Sequence, residues 1–215
     1  MIRTRRHPAQ TQRTTRLEAF TDGVFAIAAT LLVLDLTTHQ IGEIDSDAEM
    51  WAALGAMGQM FTGFGISFVL LCLLWMVHVQ QFEHIQRVDG AVVWLNNARL
   101  LFVVLVPFAT ILTTDYSDWF AGRLAMPVCF FFAILFGWLQ WLWVRRHREL
   151  MIPDMSQEEA DRYGLASLSA TVIAVLVVLL APWIGSFAFL LFLFDSVLTR
   201  VLTRGRTLAP TDGAA

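Results

Sequence analysis

Six long apolar runs, set apart by short polar stretches, dominate the chain. They cover roughly residues 17–37, 51–79, 91–113, 119–144, 165–181 and 183–201. A helix needs about 20 consecutive apolar residues to cross a bilayer, so each run predicts a membrane-spanning helix. The second run is long enough to tilt or to protrude. Only a turn near Pro182 and Gly185 separates the fifth run from the sixth. Membrane barrels carry alternating segments of roughly ten residues, and these runs are far longer. Residues 154–159 are expected to form a short helix on the membrane surface. The eight Trp fall mostly near run ends, as an interfacial belt requires.

Composition sharpens this picture. The 215 residues are 57% hydrophobic and 15% charged, with mean hydropathy +0.61. Soluble domains average about 45–50% apolar and about 25% charged. A disordered chain, a secreted disulfide scaffold and a basic nucleic-acid binder are excluded. The expected fold class is all-α: one polytopic domain of six transmembrane helices over residues 17–201. A basic segment 1–16 precedes it and a tail 202–215 follows.

Charge orients the helices. All fifteen basic residues are Arg. Arg3, Arg5, Arg6, Arg13 and Arg16 crowd the first segment, whereas Glu43, Asp45, Asp47 and Glu49 fill the first loop. Arg145, Arg146 and Arg148 follow the fourth run, and Arg200, Arg204 and Arg206 lie at the end. By the positive-inside rule both termini are cytoplasmic and the first loop is outside, in a multi-pass protein of the cell membrane. Arg123 is a mild exception. About sixteen polar residues precede the first run, which has no clear cleavage site, so no signal peptide is read there. Cys72 and Cys129 lie inside apolar runs without metal or redox spacing and read as packing residues.

The first run carries the unusual chemistry. Glu18, Asp22, Asp35 and Arg16 share one predicted membrane helix. Ionisable groups facing lipid cost roughly 2.5–3.5 kcal/mol, so they normally face protein or water. At about 100° per residue, Arg16, Phe20, Gly23, Ile27, Thr30, Leu31, Leu34 and Thr38 fall on one face. Asp22 points roughly 140° from Ile27. Its candidate partners are His78 on the second run and Asn96, Asn97 and Arg99 on the third. Such a cluster fixes helix packing, or serves a proton relay or ion site; the residues alone allow either. The apolar stripe alone also suits ordinary packing. Asp35 lies about 80° off the stripe and reads as a packing residue.

The stretch Arg16-x-x-x-Phe20-Thr21-Asp22 resembles the Arg-x-x-x-Phe-Ser-Asp pattern of the transmembrane protein 175 family of lysosomal-type potassium channels. Thr21 stands in place of Ser and keeps the hydroxyl. The continuation from Gly23 to Leu34, Leu74-Trp75-Met-Val-His78, Leu95-Asn96 and Pro107-Phe108-Ala-Thr110 are similar too. The resemblance covers roughly residues 13–201. It implies the single-unit prokaryotic branch, a homotetramer whose first helices line a central pore. It further implies a constriction at Ile27, apolar rings at Leu31 and Leu34, and a selectivity hydroxyl at Thr30. Arg16, Phe20, Thr21, Asp22, His78 and Asn96 would form a structural network. Potassium would be the permeant ion and the bilayer the only other partner, with no cofactor, no resident metal and no nucleic acid. The physical logic is an apolar ring through which the less tightly hydrated potassium passes more easily than sodium.

Other readings fit less well. Thr62-Gly63-Phe64-Gly65 lacks one residue of the carbonyl filter of conventional potassium channels, and its glycines suit close helix approach instead. No run places Arg at every third position, as a voltage sensor would. A proton-coupled transporter using Asp22, Asp35, His78 and Asp195 is the main alternative, with Pro107 and Pro127 as candidate helix breaks. A non-conducting scaffold is a third reading. His78 and His84 lack a metal-binding spacing, no nucleophile motif is present, and the chain is not read as an enzyme.

Overall fold

A computed structural model describes residues 12–38 and 41–204. Arg3, Arg5, Arg6 and Arg206 lie outside the described residues, as does the side chain of Asp35. Helix α1 spans Thr15–Thr38, α2 Asp47–Ala56, α3 Gly58–Glu83, α4 Gly90–Asp115, α5 Phe120–Arg146, α6 Gln157–Ile184 and α7 Asp195–Arg204. Five of the described segments are long and apolar enough to cross a membrane. The last of these includes both α6 and the chain that returns after it. The protein is a multi-pass, all-α membrane protein.

Two boundaries differ from the sequence reading. The second run is broken at Met57, whose ψ of 2° turns the chain between α2 and α3. Gly55 and Gly58 flank that turn, and glycine costs about 1 kcal/mol in a helix interior relative to Ala. No surface helix stands at residues 154–159. There α6 begins at Gln157 under a capping box, in which the Ser156 side chain accepts from Glu159 N and the Glu159 carboxylate accepts from Ser156 N.

The sixth pass is not a simple helix. Pro182 lies inside α6, and the chain reverses at Gly185, whose φ of +60° suits a residue without Cβ. Residues Gly185–Phe194 form a 3-10 segment that leads into α7. Ser169 Oγ donates to Asp195 Oδ1 at 2.7 Å. From Ser169 to Ile184, α6 rises about 22 Å, and ten 3-10 residues rise about 20 Å. The return therefore retraces α6 in the opposite direction. Pro107 and Pro127 likewise sit inside α4 and α5 and do not end them, contrary to their reading as breaks.

Successive passes alternate in direction, so the molecule has two distinct ends. At one, β1 (Gln12–Arg13) pairs antiparallel with β2 (Arg87–Val88), and Ile85 bridges to Met151. A core of Phe82, Val92, Trp141, Leu150 and Met151 fills this end. Arg13, Arg16, Arg87, Arg145, Arg146 and Arg148 gather there. The opposite end holds α2, the α4–α5 turn and Gly185, with acids Glu43, Asp45, Asp47, Glu49, Asp115 and Asp118, and Arg123 as its described basic residue. The main core lies between, with Phe25, Leu71, Val103, Met126, Ala133 and Val177 drawn from α1, α3, α4, α5 and α6.

Candidate functional site

Helix α1 is attached to the bundle by one narrow face. Thr21, Phe25, Ala28 and Leu32, spaced by four, three and four residues, are all buried. Asn96 Nδ2 on α4 donates to Thr21 Oγ1 at 2.8 Å, inside the bundle. Phe25 packs towards the His78 ring on α3, with centroids 6.0 Å apart.

The side of α1 opposite these residues is exposed in the protomer. Ile27 is 61% exposed, Leu34 51%, Phe20 58% and Leu31 39%. Arg16, Gly23 and Thr30 are exposed with them. The Thr30 hydroxyl donates to Ile27 O at 2.8 Å, one turn back, which leaves its oxygen lone pairs free. These seven positions of the stripe expected from the helical wheel thus face outward, and the side chain of the eighth, Thr38, lies outside the described ones. No group of three or more His, Cys, Asp or Glu that could hold a metal ion occurs among the described residues.

The polar network around α1 divides differently from the expectation. Asp22 Oδ1 accepts from Trp75 Nε1 at 2.9 Å, not from His78, Asn96 or Arg99. His78 is buried, and neither ring nitrogen has a hydrogen-bond partner among the described residues. Its ring packs against Phe82, centroids 4.3 Å apart, with Phe25 on the α1 side. Aromatic carbon therefore occupies the ring's surroundings, and the Asp22 carboxylate lies on the exposed side, where the indole N–H meets it.

Arg99 belongs to a third group. Its guanidinium is buried, with Nη2 donating to Leu74 O at 3.0 Å and Nη1 to Gln81 Oε1 at 3.3 Å. Gln81 Nε2 in turn donates to Gly137 O at 3.0 Å. A Cβ on Gly137 would stand 3.2 Å from Arg99 Nη1, so glycine there makes room for the guanidinium. Sequence reasoning missed Trp75, Gln81 and Gly137 as parts of this network. The one available signal was Trp75 itself, since an indole N–H in a membrane helix needs an acceptor.

These contacts carry a stability prediction. Asn96→Leu should destabilise the protein by about 1–3 kcal/mol, because Thr21 loses its partner inside the bundle. Thermal unfolding of the detergent-solubilised protein reads this directly. An unchanged transition would mean that the Thr21–Asn96 bond contributes nothing.

An all-α, multi-pass bundle with one helix face left bare is the architecture onto which the comparisons fall. Residues 16–107 match the sequence profile described as endosomal/lysosomal potassium channel TMEM175. Over these residues, a little under half of the chain, it is similar to the TMEM175 family of ion channels. A protein from Streptomyces collinus named a potassium channel is 40% identical over 101 residues, which is 47% of this chain and 48% of that protein. The zebrafish endosomal/lysosomal proton channel TMEM175 is 34% identical over 145 residues, covering 63% of this chain and 28% of that one. The chain thus spans about half the length of the Streptomyces relative and a smaller share of the zebrafish one. The crystal structure of a lysosomal potassium-selective channel TMEM175 homologue from Chamaesiphon minutus superposes with a TM-score of 0.65 at 24% identity. The match covers 91% of this chain and 98% of that one and shows the shared fold.

Proposed function

We propose that the protein is a potassium-selective channel of the cell membrane, assembled as a homotetramer with α1 from each copy around a central pore. One observation carries this reading. Helix α1 buries Thr21, Phe25, Ala28 and Leu32 in its own bundle, with Val24 and Ala29 packed at the edge, and presents Phe20, Gly23, Ile27, Thr30, Leu31 and Leu34 outward. The same helix exposes Arg16 and Asp22. A bare apolar face alone would suit lipid, but charges facing lipid are costly, so protein or water covers this helix in the assembly. In the tetramer Ile27 forms the narrowest ring, Leu31 and Leu34 form further rings, and the free lone pairs of Thr30 replace part of the ion's lost water. Arg16, Phe20, Thr21, Asp22, His78 and Asn96 hold α1 in position and do not touch the ion. The Arg-rich end faces the cytoplasm, with both termini there.

The test is potassium against sodium flux in proteoliposomes containing the purified protein. Unsaturated flux that favours potassium is the expected result. Saturable flux coupled to a proton gradient would replace this reading with the transporter. That alternative gains little from the carboxylate positions: Asp22 is held by Trp75, and Asp195 by Ser169 on α6. Because the zebrafish relative is named a proton channel, the same vesicles should carry a pH-sensitive dye.

Asp22→Asn should lower the tetramer fraction more than it changes selectivity, since the side chain's described contact is with Trp75. Size-exclusion chromatography and the same flux assay separate the two effects. A normal tetramer with altered selectivity would place Asp22 in the ion path.

A further inference from the structure

A cleft of about 960 Å³ opens at the acidic end of the molecule, between α3, the α4–α5 turn and the 3-10 return. One wall is α3 from Gln59 to Leu73. The opposite wall is Phe187, Leu190 and Leu193, which project from one side of the 3-10 segment because residues three apart eclipse. The cleft is polar at its mouth and apolar along its depth. Gln59, Ser117, Asp118 and Arg123 surround the mouth, and Ile66, Leu70 and Leu73 line the interior. Two hydroxyls lie deep within it, but they need nothing from an occupant. Thr110 Oγ1 donates to Ser67 Oγ at 2.7 Å, and Ser67 Oγ donates to Met126 Sδ.

The mouth carries one charge of each sign. Arg123 is part-buried and anchored at the turn, where Nε donates to Ser117 O and Nη1 to Pro182 O. Its Nη2 makes no hydrogen bond among the described residues. Asp118 is exposed and forms no ion pair among the described residues, with Arg123 or any other group. A ligand that satisfies both has a phosphate for the guanidinium and an N–H cation for the carboxylate.

Length and charge together suit a lipid. From Gln59 to Leu73 α3 rises about 21 Å, which exceeds the roughly 15 Å of one leaflet's share of the hydrocarbon core. An apolar cleft of that length, with one charge of each sign at its mouth, matches a zwitterionic headgroup above acyl chains.

We propose that this cleft is a binding site for one phosphatidylethanolamine molecule, with its phosphate on Arg123, its ammonium on Asp118 and its acyl chains between α3 and the 3-10 return. The site is independent of whether the protein conducts ions. Gly65 lines the cleft, and a Cβ placed there meets nothing within 4 Å, so a side chain introduced there enters open space in the cleft.

The experiment is native mass spectrometry of the full-length protein, delipidated in detergent and offered equimolar dioleoyl phosphatidylethanolamine, phosphatidylglycerol and phosphatidylcholine. Wild type should retain one phosphatidylethanolamine per chain with roughly tenfold preference over phosphatidylglycerol. Gly65→Phe should lose that lipid while its circular dichroism and oligomeric state stay unchanged. Asp118→Asn, an exposed substitution, should move the preference towards phosphatidylglycerol. Equal retention of all three lipids by wild type would overturn the proposal. So would undiminished retention in Gly65→Phe, or an Asp118→Asn preference identical to wild type. A Gly65→Phe protein that changes oligomeric state but keeps its lipid would show that a second copy occupies the cleft.

Discussion

Ile27→Asn should reduce the preference for potassium over sodium about tenfold or more, equivalent to about 1.4 kcal/mol of discrimination, while the protein still folds and assembles. Ile27 is 61% exposed in the protomer and contributes nothing to the buried face of α1. Its replacement therefore leaves the Thr21, Phe25, Ala28 and Leu32 contacts intact. In the proposed tetramer, what changes is the ring itself. Four amides in place of four branched alkyl groups let sodium keep hydrogen-bonding partners while it passes, which removes the penalty on the more tightly hydrated ion. Reversal potentials under bi-ionic conditions, or paired flux in proteoliposomes, measure the shift. Unchanged selectivity in a folded tetramer would remove Ile27 from the ion path.

The largest effect on stability is expected at Gly122, far from α1. A Cβ added there would overlap the carbonyl of Tyr116 and stand 2.9 Å from Leu112 O. Both neighbours are backbone, and Gly122 O itself accepts from Thr113 Oγ1 at 3.0 Å. The α4–α5 turn cannot move aside without losing that bond. Gly122→Ala should destabilise the protein by about 3 kcal/mol, at the upper end of overpacking costs. Gly65→Ala makes the control, since it places the same methyl in open space. Thermal unfolding of the two variants in one detergent compares them, and equal transitions would contradict the packing described at the turn.

The apolar periodicity made most of the helices readable, because five of the runs are close to the length a bilayer demands. It could not show the break at Met57. Apolar residues continue on both sides, and the signal was a pair of glycines in a glycine-rich stretch. The 3-10 return was hidden for a related reason: Gly185–Phe194 is as apolar as any spanning helix, and hydropathy does not distinguish a rise of 1.5 Å per residue from 2.0 Å. The start of α6 was legible but overlooked, since Ser156-Gln-Glu-Glu159 is a capping-box pattern.

The α1 stripe was legible from the helical wheel, whereas its partners were not. Helical angle places Asp22 on one side of α1 but says nothing about which residue of α3 lies level with it. Charge complementarity favoured His78, and packing placed Phe25 beside that imidazole while bringing the Trp75 indole to the carboxylate. The glycines of Thr62-Gly63-Phe64-Gly65 also separate. Gly63 lies hard against Thr114 on α4, as close helix approach requires, whereas Gly65 opens onto the cleft.

Among the described residues, the hydrogen bonds that tie α1 to its neighbours all lie near one end. The chain just before it is paired with Arg87 and Val88, Thr21 is bonded to Asn96, and Asp22 to Trp75. Beyond Asp22 the described contacts are apolar, through Phe25, Ala28 and Leu32. The helix is therefore built like a cantilever, rooted by hydrogen bonds at one end and held by apolar packing at the other. Measured from Thr15, Ile27 stands about 18 Å along it and Leu34 about 28 Å. A tilt about the root displaces Leu34 half as far again as Ile27. In the proposed pore, a given tilt would therefore open the Leu34 ring more than the Ile27 ring.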